Sequence, residues 1–531
     1  MGSISYRNLD QCESFHALLK EKGGASLREV LTPERVGSYQ VPAGGGLFYN
    51  YAAKAVDERI LSLLSDLAKE QQLLEKYRAL LAGEVMNTGE KRKVLHHLQR
   101  GELAGPVVHE GVNLREFYVE QHEKAFEFAR KVHEGVVRGP SGAPFTTVVQ
   151  IGIGGSDLGP RALYYALEGY VRATKGALPM EARFISNVDP DDAAAVLSSI
   201  DPARTLFILV SKSGTTQETL TNAALVSSFL REKGITEPKR QMVVVTSKTS
   251  PLAQDPDYLA GFYIDDFIGG RYSATSPVGG VVLSLALGPE VFQELLAGAH
   301  EADRSALEPD PRKNAAMLDA LIGVYERNVL NHPATAILPY SQALHRFPAH
   351  LQQLDMESNG KRVNRWGEPV AYPTGPIIFG EPGTNGQHSF YQLLHQGTDI
   401  VPLQFIGFVE GQTGFDREID GSTSQQKLNA NLAAQIVAFA KGKDAEDQNK
   451  HFPGGRPSSL LYGGRLTPRT AGALLAHYEN KVMFQGFLWN INSFDQEGVQ
   501  LGKVLTKEVL AGTPTDPVLT AYARILGVRR S

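Results

Sequence analysis

The spacing of apolar residues changes character along the chain. Between residues 55 and 67, Val56, Ile60, Leu61, Leu63, Leu64 and Leu67 form a stripe with a period near 3.6 and charges opposite, which predicts an amphipathic helix. A second amphipathic stretch, residues 91–98, follows the turn-like Asn87-Thr88-Gly89, and residues up to about 115 read as a helical extension that pads another unit. From Phe145 the pattern becomes β-rich. Residues 146–153 form a short strand closed by Gly154-Gly155-Ser156-Asp157, with Pro160 suited to the first turn of a helix that continues through Leu167. Residues 205–210 form a second strand, followed by Ser211-Lys212-Ser213-Gly214-Thr215-Thr216-Gln217-Glu218 and a helical run. Thr215 to Glu218 fits the Ser/Thr-x-x-Glu capping box. Residues 241–246 are a third strand. Strand, polar loop and helix in alternation mean βαβ units around a parallel sheet buried on both faces.

Residues 301–313, charged and carrying Pro309 and Pro311, mark a boundary. A second alternating set follows at 335–338, 376–379, 400–409 and 459–462, with residues 441–457 as an exposed excursion. A single hydrophobic core stops growing at about 250–300 residues, so a chain of 531 residues needs at least two cores. The expected fold is α/β: two α/β sandwiches with parallel-rich sheets, plus the helical N-terminal extension.

Composition narrows the function. Apolar residues at 42% and charged residues at 21% are ordinary for a globular protein. A net charge of −5 gives no global electrostatic reason to expect nucleic acid or an anionic membrane as partner. Cys12 is the single cysteine, which excludes an intrachain disulfide and a cysteine-built zinc site. The opening Met-Gly-Ser-Ile-Ser-Tyr lacks the regions of a signal peptide, and Tyr6 breaks the myristoylation pattern. The apolar stretch 277–288 is too short to span a bilayer. A cytoplasmic location is expected.

The polar loops carry the chemistry. A strand-to-helix loop gathers free backbone N–H groups and the positive end of the helix dipole, which favours a phosphate. Ser211, Ser213, Thr215 and Thr216 add hydroxyl donors, and Gly214 permits close approach. Gly154-Gly155-Ser156 closes a neighbouring strand in the same way, so both loops are expected at the carboxyl edge of one sheet; plain helix capping is the alternative reading. The dinucleotide fingerprint fails at Asp157, and neither Gly360-Lys361 nor Gly502-Lys503 continues as a nucleotide P-loop. A small phosphorylated metabolite, and a sugar phosphate in particular, fits better.

Gln353 and Glu357, four apart before the Ser358-Asn359-Gly360 stop, share a helix face, and a carboxylate there suits proton abstraction if a pocket lies over it. His388 is placed at a strand's carboxyl edge for acid–base work. It lies two turns from His395, too far for both to chelate one metal, and no His-Glu-x-x-His run exists. His395, His96 and His97 are expected to be structural, and no metal site is expected. Gln496 and Lys503 are seven apart and project one way from a C-terminal helix.

Together these segments strongly resemble the glucose-6-phosphate isomerase (phosphoglucose isomerase) family. The resemblance rests on Ile151-Gly-Ile-Gly-Gly-Ser-Asp-Leu-Gly-Pro160, Ser211-Lys-Ser-Gly-Thr-Thr-Gln-Glu-Thr219, Gly269-Gly-Arg-Tyr-Ser273, Asp355-Met-Glu-Ser-Asn-Gly-Lys361, Gly383-Thr-Asn-Gly-Gln-His388, and Asn492-Ser-Phe-Asp-Gln496 with Gly502-Lys503. It implies two sugar-isomerase (SIS), flavodoxin-like domains at residues 116–305 and 306–512. The extension, residues 1–115, would pack on the second domain, and residues 513–531 would form a helical tail. It implies a phosphate held by Gly155, Ser156, Ser211, Lys212, Ser213 and Thr216, and Glu357 as the base moving a proton between C2 and C1. Arg271 would steady the cis-enediolate, His388 and Lys503 would assist ring opening, and Gln353 and Gln496 would line the sugar. It implies a homodimer whose His388 crosses to the partner's site, with no cofactor. A non-catalytic SIS regulator would need the phosphate cradle but not Glu357, Arg271, His388 and Lys503 together. A second activity on mannose 6-phosphate stays open. The family's N-terminal Thr-Glu-x-Arg-Ala-Val-Leu-His reads Gly89-Glu-Lys-Arg-Lys-Val-Leu-His96 here; Glu497 replaces a common aromatic, and Ala274-Thr275 replace bulkier residues.

Overall fold

The computed structural model of the protein describes residues 4–528. The first three residues of the amino-terminal stretch and the last three of the tail lie outside the described residues. The chain divides into a large unit through Ser493 and a small one from Phe494 onward.

In the large unit the amino-terminal segment is not wholly helical. The helix expected near residues 55–67 runs Glu58–Glu70, capped by the Asp57 carboxylate accepting from the Ile60 N–H at 2.8 Å. Ahead of it, β1 (Gln40–Gly44) and β2 (Leu47–Asn50) form an antiparallel hairpin. Their burial alternates residue by residue, which is the period of a strand with one wet face. Residues 91–98 also depart from the helix expected there. Arg92–Lys93 pairs as a strand, and His96–Gln99 is a 3-10 turn buried at every position, so no polar face remains for an amphipathic helix.

The first sheet comprises β3 (Thr147–Ile151), β4 (Glu181–Ile185), β5 (Thr205–Val210), β6 (Met242–Ser247) and β7 (Ala260–Ile264). Every pairing is parallel and the order is β7-β6-β5-β3-β4. All six positions of β5 are buried, as helices on both faces require. One face packs Val149, Phe207, Leu209 and Val244 against Val226 and Leu230 of the helix Gln217–Glu232.

The second sheet adds β8 (Ala334–Pro339), β9 (Ile377–Phe379), β10 (Leu403–Phe408) and β11 (Ser458–Gly463). Its order is β1-β2-β11-β10-β8-β9, with β8 to β11 parallel and the β1–β2 hairpin joined antiparallel to β11. The amino-terminal segment therefore completes this sheet rather than only padding it. The α/β class with parallel-rich sheets is as expected.

The helix Pro468–Leu488 is buried along almost its whole length and packs on Pro289–Ser305 and Ala315–Asn328. Several of its buried polar groups are paired, which offsets the cost of taking them out of water. Glu479 accepts from Arg100, Asn480 donates to Asp303, and His477 and Lys481 lie 3.1 and 3.6 Å from the Asp319 carboxylate. Burial alone would raise Asp319; Lys481 and His477 outweigh it and hold the carboxyl well below its usual range.

Among its described residues the small unit carries the α-helices Gln500–Leu510 and Pro517–Ile525. Leu501, Val504, Leu510, Val518, Tyr522 and Ile525 are all exposed on them.

Candidate active site

Strands β3 and β5 are parallel neighbours, so the loops that follow them emerge at one sheet edge. The chain runs from β3 outward to β4 on one side and to β5 on the other, which makes this the topological switch point where ligands bind in open α/β sheets. In the second loop, the Ser211 hydroxyl donates to Thr216 Oγ1 at 3.1 Å and accepts from the Gly214 N–H at 3.1 Å. Ser213 Oγ accepts from the Thr215 hydroxyl at 2.9 Å. Gly214 has φ +68°, and a Cβ there would sit 2.1 Å from Ser250 Oγ, so the turn needs glycine.

The helix after this loop begins at Gln217, with Thr216 at its N-cap. The capping box starting at Thr215 does not form. Thr216 is bonded to Ser211 and caps nothing, so the positive helix end and its first N–H groups are left for an outside anion. The same holds one strand away. Asp157 precedes the helix Leu158–Lys175 but turns its carboxylate to Arg161 at 2.8 Å instead of capping. Burial pushes the Asp157 carboxyl up to about 6 against the pull of Arg161.

Both loops lean on one further segment, residues 268–273. A Cβ on Gly155 would lie 2.2 Å from the Gly270 carbonyl carbon, so only glycine admits this approach. Ser273 Oγ donates to the Gly155 carbonyl at 3.4 Å. Lys212 Nζ donates to the Ile268 carbonyl at 3.2 Å, and burial draws its ammonium below the ordinary lysine range despite Asp266 nearby.

Arg271, in the middle of that segment, is buried and reaches the carboxylate of Glu357, with Nη1 to Oε2 at 3.3 Å. Glu357 closes a π-helical turn, Gln352–Glu357, a distortion that often marks functional sites. On that turn Gln353 Nε2 donates to Glu357 Oε2 at 3.1 Å, as the four-residue spacing predicts. Gln353 Nε2 is also 3.2 Å from where a Cβ of Gly154 would stand. The Gly154-Gly155 loop and the carboxylate are thus neighbours, and the Ser211–Thr216 loop leans on the same segment that carries Arg271. The Glu357 side chain is 23% exposed and that of Arg271 1%, so the carboxylate can be reached while the cation beneath it stays fixed and dry. A reachable base against a preset positive charge can take a proton beside a carbonyl and steady the oxyanion that results.

The sequence model of the phosphoglucose isomerase family matches residues 50–523. The chain belongs to this family. It is 60% identical to the glucose-6-phosphate isomerase of Treponema denticola over 531 residues, covering 98% of this chain and 100% of that one. It is 49% identical to that of Borreliella afzelii over 525 residues, covering 98% and 99%. The crystal structure of a glucose-6-phosphate isomerase from Chlamydia trachomatis superposes with a TM-score of 0.92 at 43% identity, covering 98% of this chain and 100% of that one.

Of the residues that phosphoglucose isomerase motifs single out, the large unit brings Gly155, Arg271, Gln353 and Glu357 into contact. Ser156, Ser211, Lys212, Ser213 and Thr216 lie on the adjoining loops. His388 stands exposed on the turn Asn385–His388 after β9, and among the described residues it makes no hydrogen bond to Glu357. Gln496 and Lys503 belong to the small unit, Lys503 exposed on the helix Gln500–Leu510. His395 stacks on Phe439 at 3.7 Å and bonds Gln435, a packing role. Burial pushes His97 down to about 3 and His96 well below its ordinary value, leaving both neutral. Sequence reasoning assigned nothing to Tyr272, Ser358 or Ser493, although each sits beside or inside a quoted motif.

Proposed function

We propose that this chain interconverts D-glucose 6-phosphate and D-fructose 6-phosphate, an aldose–ketose isomerisation of glycolysis and gluconeogenesis, by proton transfer through a cis-enediolate. The observation that carries this reading is the Glu357 carboxylate held between Gln353 and buried Arg271, beside the Gly154-Gly155 loop. The phosphate docks on Gly155, Ser156, Ser211, Lys212, Ser213 and Thr216 at the uncapped helix end. Its binding energy places C1 and C2 over Glu357. Glu357 takes the C2 proton, Arg271 balances the charge on the enediolate oxygen, the hydroxyl proton of O2 passes to O1, and the carboxyl returns its proton to C1. The order reverses for the ketose. His388 and Lys503 assist ring opening, and Gln353 and Gln496 line the sugar.

The active form is a homodimer in the cytoplasm, built on domains of residues 116–305 and 306–512, with His388 of one protomer serving the site of the other. The exposure of His388 supports this, as do the uncovered apolar side chains of the helices Gln500–Leu510 and Pro517–Ile525. Among the described residues, no helix is long and apolar enough to cross a membrane.

A coupled assay of fructose 6-phosphate conversion with a chelator present tests the function. Full turnover is expected, and none at any substrate concentration contradicts it. In the same assay Ser213→Ala and Thr216→Ala should each raise KM roughly 10-fold, the scale of one hydrogen bond to a charged group. Inhibition by inorganic phosphate should weaken in step. Unchanged phosphate affinity removes these hydroxyls from the cradle.

A further inference from the structure

Two pairs of consecutive residues face one another across the site. Arg271-Tyr272 comes from the segment after the first sheet, and Glu357-Ser358 from the last residue of the π-helical turn and the one that follows it. Arg271 Nη1 meets Glu357, and Tyr272 Oη lies 3.0 Å from Ser358 Oγ. The diagonal is closed as well, because Arg271 Nε donates to Ser358 Oγ at 2.6 Å. Ser358 is fully buried and Tyr272 nearly so. The Tyr272 ring stacks on His96 with centroids 4.6 Å apart, and the Arg271 guanidinium carbon lies 5.6 Å from the Tyr272 ring centroid.

The third side of the guanidinium is keyed to the same turn. Arg271 Nη2 donates to the Ser493 carbonyl at 2.6 Å. The Ser493 hydroxyl in turn donates to Asn359 Oδ1 at 2.7 Å, and Asn359 Nδ2 donates to the Val482 carbonyl. Glu357, Ser358 and Asn359 therefore converge on one cation, directly or through a single intermediary. A guanidinium is planar with fixed N–H directions, so anchoring Nε and Nη2 dictates where Nη1 points.

We infer that Ser358 is a positioning residue for the isomerisation: its hydroxyl, braced by Tyr272, fixes the plane of Arg271 so that Nη1 faces the Glu357 carboxylate and the developing enediolate. This rests on the reading of Arg271 and Glu357 proposed above. Ser358 lies behind the arginine and touches no reacting atom in that reading. Charge stabilisation works when the cation is already in place and need not reorganise as charge develops. Without the hydroxyl the guanidinium can turn in its socket. The phosphate loops, held by other bonds, keep binding substrate. The loss therefore falls on turnover and not on docking.

The test is Ser358→Ala in the full-length protein. kcat should fall roughly 10-fold to 100-fold, the range for removing a partner that orients an active-site group. KM for fructose 6-phosphate and inhibition by inorganic phosphate should stay within about 2-fold, while affinity for 5-phosphoarabinonate, an enediolate mimic, weakens along with kcat. Tyr272→Phe keeps the ring on His96 and removes only the phenol. It should lower kcat several-fold in the same pattern, and it carries the test if Ser358→Ala does not fold. The double variant should be no slower than Ser358→Ala, since both act through one guanidinium. Unchanged kcat in Ser358→Ala, or parallel loss of turnover and phosphate affinity, overturns the inference. Arg271→Met separates the two layers. If it loses turnover while Ser358→Ala is normal, only the positioning role fails. If Arg271→Met itself turns over normally, the reading of Arg271 fails and this inference with it.

Discussion

Replacing Glu357 with Gln lowers turnover roughly 10²-fold to 10⁴-fold, the contribution of a positioned general base, while 5-phosphoarabinonate still binds. The amide is nearly the size of the carboxylate, so Gln353 and Arg271 keep a partner at that position. What disappears is the group able to accept a carbon-bound proton. Steady-state kinetics beside inhibitor titration separates the two effects. Near-normal turnover in the variant removes Glu357 from the base role, whatever the neighbouring geometry.

The second large effect concerns shared sites. Glu357→Gln and His388→Ala chains should each be close to inactive alone. Mixed after dissociation and reassembly, they should recover activity. If His388 serves the partner's site, each mixed dimer holds one site with both native residues and one with neither. Random pairing then returns about a quarter of wild-type activity by the symmetry of the dimer. No recovery, once mixed dimers are demonstrated, places His388 in its own chain's site. The exposed turn that carries it after β9 is what makes donation to a second chain geometrically open.

Features of the site carried by local spacing were legible in the sequence. The four-residue step from Gln353 to Glu357 put both on one helical face, and the two side chains do bond. Thr205–Val210 was readable as a buried strand because every position is apolar or β-branched and none meets water. Hydroxyl-rich loops after strands pointed to the right sheet edge, since strand-then-helix order alone sets which end of a parallel sheet they occupy.

Where contacts are distant in sequence or backbone-borne, the pattern was silent. Arg271 and Ser358 are 87 residues apart, and nothing in either motif says that one anchors the other. The Ser493 acceptor is a carbonyl, which every residue has. β1 and β2 escaped because Pro42 and a Gly44-Gly45-Gly46 turn interrupt a short alternation, and only the edge of β11 makes it worth forming. The capping box at Thr215–Glu218 does not form, because a sequence motif cannot reveal that Ser211 already engages Thr216.

The central claim is that a carboxylate carries hydrogen between two carbons as a proton. Isomerising glucose 6-phosphate in deuterium oxide tests it most directly. A proton parked on the partly exposed Glu357 carboxyl can exchange with solvent before it is delivered. Carbon-bound deuterium should therefore appear at C1 of fructose 6-phosphate as the reaction approaches equilibrium. Complete retention of the original C2 hydrogen at C1 over the same course would mean direct hydride transfer, and would contradict the account.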